Sequence, residues 1–436
     1  MTELFCKTEP PTEAARAFVE GVKTGDAMRL HQLLADDPEL RSQIDEPWFE
    51  FDRPAIVFVA RNLALVDVLL QHGADINARS QWDAGGFGVL DGADPELAEQ
   101  LIARGAVVDV HAAAALGNMA RLRQLVEAEP KLVHALGGDG QRPLHFARGR
   151  PAIDFLLDHG AELEARDVDH GATAAQYAVG QDMEKCRYLI ERGAVVDLLM
   201  ACALGDEVLV ESVLEQEPDA LRSRLGACSH TKPGQDGHIY RWNLRGATTP
   251  LEVADTFGHR ALFDDLLARS PRLVRFATAC WFGDESPARE LLQERPGLVG
   301  ELPEEQQAMM ARAAWEHRTA TVRLLLDLGF DPHLTWAEQS TPLDRAAFHG
   351  FADIVELLLA TDPAPPLTTF NAYDSPPLGT CVYGAVHSWR DDGDHATTAE
   401  ALLRAGSRYR ESWLPTGSDA MDTVLAKYPE NRLPAS

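Results

Sequence analysis

One element recurs along nearly the whole 436-residue chain and limits what it can fold into: a helical stretch ending in two adjacent aliphatic residues, usually followed by glycine. It reads VDVLLQHGAD from Val66, LAEQLIARGAV from Leu97, IDFLLDHGAE from Ile153, KCRYLIERGAV from Lys185 and VRLLLDLGFD from Val322, with further copies from Ile354 and Ala399. Apolar residues three and four apart give each helix one stripe to bury, and the glycine ends it by tolerating a left-handed backbone. The second aliphatic residue falls at Leu34, Leu70, Ile102, Val126, Leu157, Ile190, Leu214, Leu267, Leu292, Leu326, Leu359 and Leu403. Most gaps are about 31–36 residues, three are about 24–25, and two are about 53 and 44. A unit this short cannot bury its own stripe, so units must stack, and such a stack escapes the size limit of a single core.

The other half of the unit is also legible. Gly140-Gln141-Arg142-Pro143-Leu144-His145-Phe146-Ala147 and Thr341-Pro342-Leu343-Asp344-Arg345-Ala346-Ala347 are its clearest copies, with weaker ones at Thr249-Pro250-Leu251-Glu252-Val253-Ala254 and Thr173-Ala174-Ala175-Gln176-Tyr177-Ala178. Threonine caps a helix, proline fits its first turn where no amide hydrogen is needed, and leucine and alanine pack on the next unit. These segments and their period resemble the ankyrin repeat over about residues 12–410. The resemblance implies an all-α ankyrin-repeat solenoid of stacked helix pairs with short β-hairpin fingers. It predicts one array of about twelve units over residues 1–410, with insertions near 227–246 and 384–397, and a capping tail over 411–436. It also implies that His145 bonds to neighbouring backbone, and that His259 and His349, beside turn glycines, are structural.

The short gaps carry their own signature: Leu116-Gly117-Asn118, Leu204-Gly205-Asp206 and Phe282-Gly283-Asp284, with Thr24-Gly25-Asp26 at the start, each followed by a helix and a proline turn. Their spacing of roughly 80–90 residues points to duplication of a block of two to three units. Units this short lose the projecting finger. The mixed layout is similar to that of a group of bacterial ankyrin-repeat proteins and brings no biochemical activity with it.

Charge and cysteine usage narrow the function classes. A formal net charge of −28 repels phosphate backbones, and no long Lys/Arg run offsets it, so nucleic acid is not an expected partner. Acidity keeps such a chain soluble and would steer a basic partner. The six cysteines form no C-x-x-C pair, and Cys202 and Cys280 sit at equivalent, core-like positions, so a reducing, cytoplasmic setting is expected. No basic, then apolar N-terminal run reads as a secretory signal, and no apolar stretch approaches the roughly 18–20 residues of a membrane span. We expect a monomer with no cofactor and no metal.

The resemblance places binding on the fingers and inner helices. Fingers are expected at 75–81, 164–171 and 330–339, where Trp82, Arg166, Asp169, His170 and Trp336 offer aromatic and charged contacts. The insertion at 227–246 reads as a turn followed by a strand over 239–244, an enlarged hairpin on the finger side carrying His230, Lys232, His238, Tyr240, Arg241 and Trp242. The second insertion gathers His387, Asp391, Asp392, Asp394 and His395, donors that could hold a metal, although a polar loop closing the array is the plainer expectation. Asp167-Val168-Asp169-His170-Gly171 combines carboxylates and imidazole as acid/base chemistry needs, yet it is also ordinary finger composition. G-x-S-x-G, H-E-x-x-H and Walker A motifs are absent, and Gly137-Gly138-Asp139-Gly140 stands in a finger, not before a phosphate-binding helix. The sequence therefore predicts a protein- or peptide-binding scaffold rather than an enzyme. The competing reading, a small-molecule enzyme or sensor with a pocket closed by the two inserted loops, requires His170, His238, Tyr240 and Trp242 to converge with a carboxylate on one enclosed cavity.

Overall fold

The computed structural model describes residues 8–225 and 238–433. The chain divides into two compact units, Met1–Leu266 and Leu267–Ser436. Each is a succession of helix pairs.

In the first unit, short helices such as Val110–Ala115, Pro143–Phe146 and Ala174–Ala178 pack on one another, and longer ones such as Met119–Ala128, Arg150–Asp158 and Met183–Glu191 form the row behind. The capping chemistry matches its sequence signals. Thr173 and Thr249 accept the amides of Gln176 and Glu252, and Asp or Asn side chains at 26, 62, 94, 109, 118, 182, 197 and 206 do the same for their helices. Of the aliphatic pairs, the first member carries the burial in full-length units: Leu69, Leu101, Leu156 and Leu189 are inaccessible. Their partners Leu70, Leu157 and Ile190 are half-buried, and Ile102 is exposed. The short units run from the end of one long helix at Ala103 or Glu191 straight into the next short helix at Val110 or Leu198, with no finger between.

Full units project a finger, and adjacent fingers are stitched through backbone. The tip residues Asp52 and Asp139 have φ of 49° and 56°, a left-handed turn that directs their carbonyls sideways. Asp52 O accepts Gln81 N–H at 2.9 Å, and Asp139 O accepts Val168 N–H at 3.0 Å and Asp169 N–H at 3.2 Å. Gly140 lies at this crossing, where a Cβ would strike both the Val168 side chain and the Ala84 carbonyl. Among the described residues the expected β-hairpins shrink to isolated antiparallel bridges, Phe49 with Arg53 and Arg166 with Thr173. The fingers are too short for ladders, and their amides are spent on turns and on neighbouring tips.

The second unit repeats the scheme with the short helices Met309–Trp315 and Pro342–His349, the longer helix Pro377–His387, and the outer helices Thr319–Asp327, Ala352–Leu359 and His395–Arg404. Thr341 and Asp344 cap each other reciprocally, and Glu338 O accepts Ala372 N–H at 2.9 Å from the following finger. One apolar core runs from Phe276 to Leu425. The tail closes it: Met421, Val424 and Leu425 of the helix Asp419–Ala426 join that core, and Tyr409–Arg410 pairs in parallel with Arg432–Leu433. Among the described residues no helix is long and apolar enough to cross a membrane.

Candidate functional site

The finger 164–171 of the first unit supplies the richest cluster. Asp167 anchors it from a fully buried side chain, accepting Ala172 N–H at 2.6 Å, His170 N–H at 2.7 Å and the Tyr177 hydroxyl at 3.1 Å. His170 Nδ1 lies 3.2 Å from the same Asp167 carboxylate, 2.8 Å from Tyr177 Oη and 3.7 Å from Asp169. From the preceding finger, Asp139 faces this group, with the Trp82 side chain beside it.

Crowded carboxylates set the protonation states. Burial, reinforced by the charges of Asp169 and Asp167, pushes the Asp139 carboxyl up to about 6, against the pull of His170. Burial alone would lower the His170 imidazole, but the Asp167 hydrogen bond and the surrounding carboxylates outweigh it and raise it. Asp167 goes the other way: burial opposes its charge, and its hydrogen bonds to His170 and to backbone amides win. Burial and the same carboxylates hold the Tyr177 hydroxyl protonated.

The insertion meets this cluster, though not as expected. Residues 226–237, including His230 and Lys232, lie outside the described residues. From His238 the chain forms a helical turn, Tyr240–Asn243, packed on the helix Ala174–Ala178, rather than the predicted strand on the finger side. Its alternating apolar residues misled because so short a run fits either period. Tyr240, Asn243 and Leu244 turn inward at helical spacing, and Trp242 turns out. Tyr240 is inaccessible, and its hydroxyl donates to Asp197 at 2.8 Å, beside Gln176 Nε2 at 3.1 Å. Asn243 Nδ2 donates to Tyr177 O at 2.9 Å. Tyr240 and His238 are therefore core residues and not partner contacts: both are inaccessible, with the hydroxyl taken by Asp197 and the imidazole Nδ1 by the Tyr240 amide.

Trp242 fits the expectation better: it is 56% exposed, edge-on to the His170 ring at 5.3 Å. Asp169 is partly exposed beside them. Arg241 and Trp82 are half-buried, and Arg166 is tied to Gly171 O and Gln176. His170, Trp242 and Asp169 thus share one surface with Asp139, while Tyr240 and His238 back it from inside. Sequence reasoning passed over Asp139 and Tyr177. The first stood in a glycine-rich tetrapeptide judged only against phosphate loops, and the second in a weak helix-start copy.

In the second unit Trp336 is half-buried under the Arg345 guanidinium, which also lies over Trp315. Trp315 stacks on Phe348 at 5.5 Å, with Trp389, 63% exposed, edge-on to it. The donors of the second insertion do not assemble. His387 stacks on Tyr383, His395 bonds to Phe348 O, Asp394 caps its helix, and Asp392 pairs with Arg390 and His317.

Two of the histidines expected to be structural bond to the backbone of the repeats. His145 Nδ1 accepts Arg142 N–H at 3.1 Å and its Nε2 reaches Ala172 O at 3.1 Å, while His259 Nε2 reaches Ala203 O.

Helix pairs stacked in series, with stitched fingers, define a repeat protein. Residues 110–200 match the family model described as ankyrin repeats (3 copies), and residues 307–359 that described as ankyrin repeats (many copies). Residues 110–200 and 307–359 are thus ankyrin repeats, and each of the two units carries some. It is similar to the mouse ankyrin repeat and SAM domain-containing protein 6, 30% identical over 121 residues, and to the rat protein of that name, 28% identical over 140 residues. These matches cover 27% and 29% of this chain but only 14% and 16% of those relatives. Among solved structures it is similar to the human ASB11 ankyrin repeat domain, at 20% identity and a TM-score of 0.23, covering 69% of this chain and 98% of that one.

Proposed function

We propose that the first unit is a binding module for a protein or peptide, engaged through the finger 164–171 and the adjoining turn Tyr240–Asn243. The observation that carries this reading is Trp242: a large indole, more than half exposed, held edge-on to a buttressed imidazole and bordered by the Asp169 carboxylate. Exposed aromatics on rigid supports are how interfaces concentrate energy in a few residues. The chain's acidity and the carboxylates around His170 favour a partner that presents a basic residue. Trp82, Arg166 and Arg241 border the same surface, and Trp336 belongs to a separate aromatic face in the second unit.

A specific observation favours the second reading, a small-molecule enzyme or sensor. His170, Tyr177 and Asp167 form a hydrogen-bonded triangle beside the Asp139 carboxyl, which burial raises to about 6, within the range where acid/base groups work.

The test is a photocrosslinking pair, with a reactive residue at position 242 and, as control, at the exposed Val208 on a long helix. The binding reading expects a protein adduct from position 242 alone, lost with Asp169→Ala and weakened by salt. Equal labelling from both positions, or only small-molecule adducts at 242, would overturn it.

A further inference from the structure

We propose that Asp139, Asp169 and His170 form a binding site for a divalent transition-metal ion at the junction of two adjacent fingers. This inference does not depend on the partner-binding reading. One carboxylate oxygen from each aspartate and one ring nitrogen of His170 lie within 4.8 Å of one another. Three ligands about 2.0–2.2 Å from a shared ion stand roughly 3–3.8 Å from one another, so side-chain movements of up to about an ångström close the site. The arrangement is fixed by backbone and not by the side chains' own attraction. Asp139 O accepts the amides of Val168 and Asp169, so the two fingertips are pinned whatever their carboxylates do.

The surroundings are those of a ligand set. Asp167, buried and immobilised by two backbone amides, contacts His170 and fixes its ring, as carboxylates behind metal-binding histidines do. The three carboxylates outnumber the one imidazole among them, so an added cation is favoured electrostatically. An independent feature points the same way. His238 is wholly inaccessible, its Nδ1 accepts Tyr240 N–H at 3.2 Å, and among the described residues its Nε2 has no partner. With Nδ1 accepting, the proton sits on Nε2, a buried donor with nothing to receive it. The ring interacts electrostatically with Asp197, Arg166, Asp167 and His170. Water or an anionic group taken up with the ion would supply the missing acceptor, and a buried donor left without one is unfavourable.

Mixed imidazole and carboxylate donors select zinc, manganese or iron(II) over calcium, which takes six or more oxygens. Three protein ligands with Asp169 partly exposed leave positions open on the solvent side.

Zinc chloride titrated alone into chelator-treated full-length protein, followed by calorimetry and metal analysis at neutral pH, tests the site. One equivalent should bind. Asp139→Asn, Asp169→Asn and His170→Ala should each weaken it tenfold or more while circular dichroism stays unchanged. Asp167→Asn, acting through His170, should weaken it about 10–100-fold. The exposed His31–His72 pair, 3.0 Å apart, is the competing zinc site on this unit. His72→Ala should leave the affinity unchanged. Absence of binding, or binding abolished by His72→Ala but not by His170→Ala, would overturn the proposal.

Discussion

Acid should loosen the first unit through His145, and the size of the effect follows from two hydrogen bonds. The ring spans consecutive repeats, accepting Arg142 N–H at Nδ1 and, with its proton on Nε2, donating to Ala172 O. Protonation puts a hydrogen on Nδ1, against the Arg142 amide, and charges a ring that is only 7% exposed. Burial accordingly lowers its pKa from 6.5 to about 4, with Lys185 adding to the effect against the pull of the two backbone contacts and Asp167. A histidine lowered in the fold contributes stability that is present above its unfolded pKa and lost as pH falls toward the folded one. Linkage puts the loss at about 2 kcal/mol by pH 5 and about 3 kcal/mol by pH 4 relative to pH 7. His238 and His349, also lowered to about 4 by burial, add to the acid lability of the wild type. The contribution of His145 is isolated by His145→Asn, which keeps an acceptor near Nδ1 and cannot ionise. Urea denaturation of both proteins at pH 7 and pH 5, in chelator, should show the variant less stable at pH 7, by about 1–2 kcal/mol for the lost bond to Ala172. The gap should close or invert by pH 5. Parallel pH profiles for the two proteins would refute the reasoning. So would a His145 ring resonance that titrates near 6.5 in the folded state.

Two further perturbations separate packing from site. Leu156→Ala and Leu325→Ala each remove a fully inaccessible side chain and should cost about 2–5 kcal/mol by chemical denaturation; a cost under about 1 kcal/mol would contradict the stacking of that repeat. Tyr240→Phe removes the hydroxyl from Asp197, which keeps Gln176 and the Met200 amide. It should cost about 1–3 kcal/mol while leaving partner crosslinking at position 242 intact. A variant that lost crosslinking at full stability would return Tyr240 to the contact surface.

The repeat architecture was legible because it depends on periodic burial and capping, which are written locally. Thr173, Thr249 and Thr341 announce helix starts, and each aliphatic pair announces a stripe; even the missing fingers of the short units follow from counting residues. What could not be read was anything decided between units. Whether Leu156 or Leu157 faces the core depends on the angle at which one helix meets the next, and the sequence supports either. The run from Ile239 to Leu244 is long enough to look alternating and too short to exclude a helical turn. Its actual conformation is chosen by Asp197 and Tyr177, more than forty residues away, which take up the Tyr240 hydroxyl and the Asn243 amide.

The candidate site was hidden for a related reason. Asp139 and Asp169 are separated by nearly a full repeat, and neither looks unusual in its own finger. They meet because the left-handed turn at Asp139 points its carbonyl at the next fingertip, and Gly140 lets Ala84 and Val168 close in from both sides. Finger stitching is a property of the scaffold, repeated at Asp52 and, in the second unit, at Glu338. The acidic residues at this one junction are an addition to it. A carboxylate at a stitched tip costs stability when it is buried and a second carboxylate lands beside it, and the Asp139 carboxyl is raised by burial first and by Asp169 and Asp167 after it. A junction that concentrates Asp139, Asp167 and Asp169 around a single imidazole is therefore poorly explained by stability alone, and a bound cation, whether a metal ion or a partner's basic side chain, removes the penalty.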